Sequence, residues 1–346
     1  MSDTAEFVPR DGTTPRVAVI GAGSWGTAMA RHLALLGTRA RLLGRRAEQV
    51  EAIRKTGRNP SYLRNLQLPS SLEAGLYTEG SLEDADLVVM AVPSKGYAAV
   101  AGSLVDRLPR GVNVLSLTKG VEPGSLRRLS EVLADLWGRL EPRIAVLAGP
   151  NHAEEVSVDQ PTATVVASRD LQYAEALQLL LSNESFRAYV NEDLVGVELA
   201  GAVKNVIALA TGMGDGVGYG DNVRAALITR GLAEMARLGV ALGAQPLTFA
   251  GLAGLGDLVA TCTSKHSRNR LAGELIAHGH SPGEIEQEMG MVAEGLTAAP
   301  AILALARSHG VEMPITCNVV AVVYEQKPVK DCVADLMSRE PRTERH

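Results

Sequence analysis

Residues 16–37, RVAVIGAGSWGTAMARHLALLG, leave little freedom in how the chain begins to fold. Val17–Ile20 is an apolar run rich in β-branched residues, which favours a buried strand. Glycines at 21, 23 and 26 follow at once, and an amphipathic pattern of helical period then opens. A strand that enters a helix through so tight a turn needs backbone freedom at its first glycine and close strand–helix approach at its third. The same turn leaves the first N–H groups of the helix without intrahelical acceptors, a ready site for an anion. The G-x-G-x-x-G spacing of Gly21, Gly23 and Gly26 therefore reads as a dinucleotide-binding turn, Gly23 giving a pyrophosphate access to the backbone. Two other readings share the pattern: a glycine turn without a ligand, and an S-adenosylmethionine site.

Downstream the alternation of strand and helix continues. RARLLGRR, ADLVVMAVP, VNVLSLTKG, RIAVLAGP, PTATVVAS and FRAYVNED read as strands, with helical stretches such as GSLRRLSEVLADLW between some of them. That order predicts an α/β fold: an N-terminal Rossmann-like doubly wound parallel sheet, covered on both faces. Beyond about Leu194 only helical patterns broken by glycine clusters remain, so an all-helical C-terminal domain is expected. The expected boundaries are a flexible leader over 1–15, a dinucleotide-binding domain over 16–193, a helical substrate domain over 194–337 and a flexible tail over 338–346. The leader lacks the apolar core of a signal peptide. No uninterrupted apolar run approaches the ~20 residues of a membrane span. Cys262, Cys317 and Cys332 are scattered without CxxC spacing, which predicts no metal site and suits a reducing, cytoplasmic location. A net charge of -5 over 346 residues argues against a nucleic-acid partner but leaves small anions open.

Several positions carry chemistry if the first domain binds a dinucleotide. An NAD-selective site places an acidic residue ~20 positions after the glycines, at the end of the second strand. Here that place holds Arg45 and Arg46, and the first acidic residue is Glu48. Guanidinium groups match a 2′-phosphate, so NADP is accepted on this reading; a solvated basic turn is the competing one. Lys119 and the segment Gly149–Ala153 follow strands, where open α/β sheets bind ligands. Lys204 interrupts an apolar helix, and its neighbours on that face are Ala200, Gly201, Ile207, Ala208 and Thr211. Either its stem crosses apolar surface to water, or the small residues leave room for a ligand. Asp257 follows Gly254-Leu255-Gly256, and Ser267 stands where it would cap a helix opening with Arg268 and Asn269. Such a start suits a phosphate, or is simply a capped surface helix.

Taken together, these segments resemble the NAD(P)-dependent glycerol-3-phosphate dehydrogenases of the bacterial type. The resemblance runs from Arg16 to about Glu325 and rests on GAGSWGTA, LTKG, AGPNHAEE, ELAGAVKNVIALATGMGDG, GLAGLGDL and HSRNRLAG in that order. It implies reversible reduction of dihydroxyacetone phosphate to sn-glycerol 3-phosphate with NADPH or NADH, feeding glycerophospholipid synthesis. It implies Lys204 as the catalytic acid/base, with Lys119, Gly149, Asn151, Asp257, Ser267, Arg268 and Asn269 at the substrate. On the cofactor it places Ser24, Trp25, Arg45, Arg46, Lys119, Ala153, Arg268, Val292 and Glu294, besides the three glycines. A lysine in the catalytic role needs burial or a second cation to lower its pKa from ~10.4, while Asp257 pushes the other way. One departure stands out: Asn151-His152 replaces what is more often Ser or Thr followed by Phe. The expected partners are the phosphorylated three-carbon substrate and a second copy of the chain, with no integral membrane segment. The rival readings are a β-hydroxyacid or sugar-acid dehydrogenase, a UDP-sugar dehydrogenase using Cys262 as nucleophile, and an NADP-binding sensor without turnover.

Overall fold

The computed structural model describes residues 7, 9, 12–80, 82–290 and 293–338. An eight-stranded sheet carries the first half, with strands β1 (Arg16–Ile20), β2 (Arg39–Gly44), β3 (Glu73–Leu76), β4 (Leu87–Met90), β5 (Asn113–Ser116), β6 (Arg143–Ala148), β7 (Thr162–Ala167) and β8 (Phe186–Asn191). Their spatial order is β3-β2-β1-β4-β5-β6-β7-β8. Because side chains alternate across a strand, β1 feeds both faces: Val17 and Val19 join one apolar cluster, Ala18 and Ile20 the other. Helices α1 (Ser24–Leu35), α2 (Ala47–Thr56) and α6 (Leu171–Leu181) cover the first face through Leu33, Ile53 and Leu177. Helices α3 (Tyr97–Leu104) and α4 (Leu129–Leu136) cover the second through Tyr97, Leu104 and Leu133.

Two features depart from the expected parallel sheet. Strand β7 runs antiparallel to β6, with Val146 opposite Ala167. Between them lies only a single-turn helix, α5 (Ala153–Val156). A parallel return needs a crossover long enough to traverse the sheet, so the chain turns back instead. The second is β3, which the sequence does not announce. It is a four-residue edge strand with no fully buried residue, so it lacks both the apolar run and the alternation that mark a strand.

The remainder is helical: α7 (Leu194–Gly216), α8 (Asp221–Ala241), α9 (Asp257–Thr263), α10 (Arg268–Ala277), α11 (Pro282–Met289), α12 (Glu294–Ser308), α13 (Pro314–Glu325) and α14 (Val329–Met337). Helix α7 has the length and apolarity of a membrane span, but 94% of its apolar window is buried inside the protein. Helices α8, α9, α10, α12 and α13 pack on it. Glycine on α7 serves that packing. A Cβ on Gly212 would come within 1.9 Å of the Arg270 carbonyl oxygen, and one on Gly273 within 2.2 Å of the Leu209 carbonyl oxygen. The reciprocal glycines let α7 and α10 cross almost backbone to backbone. Ser267 then caps α10, its hydroxyl accepting from the Arg270 N–H at 3.2 Å. The crossing brings that helix start beside the middle of α7.

Candidate active site

The C-terminal ends of β1, β2, β4 and β5 open on one side of the sheet, and the order β2-β1-β4 puts a switch point at the glycine turn. A cleft of about 850 Å³ begins there and extends to α7, α10 and α12. Gly21, Gly23, Ser24, Trp25, Arg45 and Arg46 line one end; Lys119, Asn151, Lys204, Ser267, Arg268 and Asn269 line the other. Ala153 and Glu294 also line it. Gly26, Gly149 and Asp257 stand behind its wall, and Val292 lies outside the described residues.

The glycine turn has the geometry a dinucleotide needs. Gly21 has φ +116°, and a Cβ on Gly26 would lie 1.9 Å from the Gly21 carbonyl oxygen. Gly23, by contrast, has nothing within 4 Å of the place a Cβ would fill. Its side is open for a ligand to reach the backbone. Helix α1 starts at Gly23 without a side-chain cap, so its first-turn N–H groups are left for an anion. The indole N–H of Trp25 is buried and has no partner among the described residues. These residues fit a dinucleotide.

At the other end, three charged side chains form one unit. The Lys204 ammonium donates to Asp257 Oδ1 and, at 2.7 Å, to Thr261 Oγ1. Lys119 Nζ donates to Asp257 Oδ2 at 2.9 Å, to Asn151 Oδ1 at 3.0 Å and to the Gly149 carbonyl at 3.3 Å. An ammonium carries three donors. Lys119 has placed all of them, whereas Lys204 has two partners among the described residues and keeps its third donor for the cleft it lines. Asn151 shows how an amide serves at this position: its Oδ1 orients Lys119, and its Nδ2 donates to Thr164 Oγ1 at 3.0 Å. His152, which the sequence marks only as a departure and gives no role, also lines the cleft. Burial, with Lys204 and Lys119 nearby, lowers its pKa and keeps it neutral.

The charges in this unit set one another. Burial lowers the Lys204 pKa to about 8; Asp257 opposes that shift and Lys119 reinforces it. Burial alone would raise the Asp257 carboxyl, but the Lys119 and Lys204 ammoniums outweigh it and hold the group below its ordinary value. Burial raises Glu294, against the pull of Arg268 and both lysines. Gly201 lies under the stem of Lys119, where an added Cβ would sit 3.3 Å from Lys119 Cγ. Gly201→Ala is expected to shift the anchored Lys119 by a few tenths of an ångström and to lower kcat/KM about threefold to tenfold. Steady-state kinetics beside a thermal melt will show the kinetic loss with little change in Tm.

Asn205 and Asn269 complete the floor. Asn269 Nδ2 donates to Asn205 Oδ1 at 2.9 Å, and its Oδ1 accepts from the Gly295 N–H at 2.8 Å. That chain ties the starts of α10 and α12 to α7. Cys262 is fully buried and its thiol is pushed up to about 12, so it supplies no nucleophile.

Known proteins resemble the chain along most of its length. The family model for the NAD-dependent glycerol-3-phosphate dehydrogenase N-terminus matches residues 16–174, and that for the C-terminus matches residues 193–334. A glycerol-3-phosphate dehydrogenase of Salinibacter ruber, named for NAD(P)+, is 49% identical over 95% of this chain and 96% of its own. The one from Parafrankia sp. is 51% identical over 95% and 98%. The crystal structure of glycerol-3-phosphate dehydrogenase from Coxiella burnetii superposes with a TM-score of 0.91 at 39% identity, covering 94% of this chain and 99% of that one. A dinucleotide turn at one end of the cleft and a buried lysine pair at the other accord with that kinship: the chain belongs to the NAD-dependent glycerol-3-phosphate dehydrogenase family.

Proposed function

We propose that this protein reduces dihydroxyacetone phosphate to sn-glycerol 3-phosphate with NADPH or NADH, reversibly, and that Lys204 is its catalytic acid/base. Residues 16–193 hold the cofactor and 194–337 the substrate, with the cleft between them. The observation that carries the reading is the Lys204 ammonium: buried, held by Asp257 and Thr261, and left with one donor for the cleft. The reduced nicotinamide, when bound, supplies hydride to C2 of the ketone. Lys204 stabilises the charge that develops on the C2 oxygen and gives that oxygen its proton. In the reverse direction neutral Lys204 takes the hydroxyl proton. Asp257 fixes the lysine's position, and Lys119, its donors all placed, contributes a fixed positive charge.

The phosphate meets the start of α10. Ser267 caps the Arg270 N–H, which leaves the N–H groups of Arg268 and Asn269 for an anion. Arg268 is exposed on the same rim. Binding there fixes C2 against the nicotinamide. Arg268→Ala is expected to raise the KM for dihydroxyacetone phosphate about tenfold or more with kcat little changed. An unchanged KM removes Arg268 from the phosphate site. Arg45 and Arg46 serve the adenosine end of the cofactor. The reading extends to a homodimer in the cytoplasm, in keeping with three free cysteines, and to a product that starts glycerophospholipid synthesis.

The test is the absorbance of the reduced nicotinamide with purified protein and dihydroxyacetone phosphate, run in parallel with NADPH and NADH. Substrate-dependent loss of signal supports the reaction. No loss with either cofactor, while both bind, moves the sugar-acid dehydrogenase or the sensor reading to the front.

A further inference from the structure

One buried side chain on the cofactor side has no part in the account so far. Asn59, in the loop RNPSY after α2, is 1% exposed. Its Nδ2 donates to the Ala22 carbonyl at 3.1 Å and to Thr27 Oγ1 at 2.9 Å. Its Oδ1 accepts from Gln49 Nε2 at 3.0 Å and from the N–H groups of Ser61 at 3.1 Å and Tyr62 at 3.3 Å. The partners settle which end is nitrogen, since a carbonyl can only accept and a peptide N–H can only donate. Gln49 repeats the contact, donating to the same Ala22 carbonyl at 2.8 Å. Ala22 is the middle of the glycine turn and Thr27 lies in the helix it opens. The loop that Asn59 holds carries Ser61, whose hydroxyl accepts from Arg46 Nη2 at 2.8 Å.

We propose that Asn59 is the positioning residue of the cofactor half, locking the glycine turn and the Ser61-held Arg46 guanidinium into one preorganised cradle. This rests on the reading of the cleft as an NAD(P)H site and adds how its two anion-binding parts are kept in register. The sheet already joins the turn to the end of β2, with the Gly21 N–H donating to the Leu43 carbonyl at 2.8 Å, but it leaves the Arg46 side chain and the loop that carries Ser61 to be placed by other contacts. A pyrophosphate and a 2′-phosphate on one ligand are bound together most tightly when both receptors are held in place beforehand. A ligand that must first order its receptor binds more weakly. One amide bonded to Ala22, Thr27, Gln49, Ser61 and Tyr62 fixes the Ser61 loop, and through it the Arg46 side chain, against the turn. Asn59 touches no ligand itself. Its effect therefore falls on cofactor affinity and cofactor preference, and not on the chemical step.

The experiment is equilibrium binding of NADPH and NADH, followed by nicotinamide fluorescence, to wild type, Asn59→Ala and Ser61→Ala. The steady-state cofactor KM and kcat are measured on the same preparations. Asn59→Ala is expected to raise Kd about tenfold for NADPH and less for NADH, with kcat at saturating cofactor within about twofold of wild type. Ser61→Ala removes one exposed hydrogen bond and is expected to raise the NADPH Kd about threefold and leave NADH unchanged. If Asn59→Ala does not fold, Ser61→Ala decides alone: a loss confined to NADPH supports the cradle, and no change overturns it. Wild-type affinities in both variants overturn it. So does an Asn59→Ala protein with a smaller active fraction but unaltered Kd, because that is a folding role only. Binding is read without dihydroxyacetone phosphate, so a protein that shows this pattern and does not turn over keeps the cradle and loses the proposed reaction. Wild type that binds neither dinucleotide removes the cofactor reading, and the cradle with it.

Discussion

Lys204→Ala is expected to lower turnover about 10⁴-fold or more while cofactor affinity stays close to wild type. On the proposed mechanism the variant loses the donor at the C2 oxygen and the proton it delivers, and these act on the same atom in the same step. The rest of the unit survives. Asp257 keeps Lys119 at 2.9 Å, so no buried carboxylate is left unpaired. The glycine turn and Arg45–Arg46 are at the far end of the cleft and do not contact Lys204. Stopped-flow turnover beside nicotinamide fluorescence titration measures both quantities on one preparation. Normal turnover in the variant would sink the mechanism, whatever happened to binding.

Asp257→Asn has the second largest expected effect, and it acts on stability and chemistry together. Asp257 is 1% exposed and faces two ammoniums. The amide removes their shared counter-charge and leaves two cations with no carboxylate between them. Breaking a buried pair in this way costs about 3–5 kcal/mol, which a denaturant melt will read directly. The chemical effect has a definite sign. Asp257 opposes the lowering of the Lys204 pKa, so without it that pKa falls below about 8. Reduction, which needs the ammonium, then loses activity at a lower pH than in wild type. Oxidation, which needs the neutral amine, extends to lower pH. A variant with wild-type stability and an unmoved pH profile would contradict the assigned geometry.

The nucleotide end of the molecule was largely legible in the sequence, because its determinants are local. The strand, the three glycines and the uncapped helix start lie within a dozen residues, and their backbone demands are the same in any chain. Lys204 also stood out locally, as a cation on an apolar helix. Of the small residues on its face, Gly201 has a packing role that the sequence does not show. Gly212 admits the backbone of α10 and Gly201 admits the stem of Lys119. Both contacts come from segments remote in sequence, and no helical periodicity reveals them.

The unread parts share that physical cause. Lys119 and Asp257 are 138 positions apart, and the bond between them follows only from how α9 packs on α7 beneath the strand ends. Asn59 looks like an ordinary loop asparagine before a proline, yet its partners lie on α1, α2 and the glycine turn. Asn151 departs from the resembling family, and only the fold shows it bonded to both Lys119 and Thr164. The reversal at β7 reflects a missing helical pattern between GP and PT, a signal that was present in the sequence and went unused.

The central claim is that one buried lysine exchanges the reaction's proton, and the pH dependence of kcat/KM in both directions tests it most directly. This ratio reports ionisations of the free enzyme. Lys204, lowered to about 8, must be charged for reduction and neutral for oxidation. Reduction is therefore predicted to fall as pH rises through about 8, and oxidation to rise through the same value. Two profiles without a common inflection in that region, or inflections that persist in Lys204→Ala, would contradict the account.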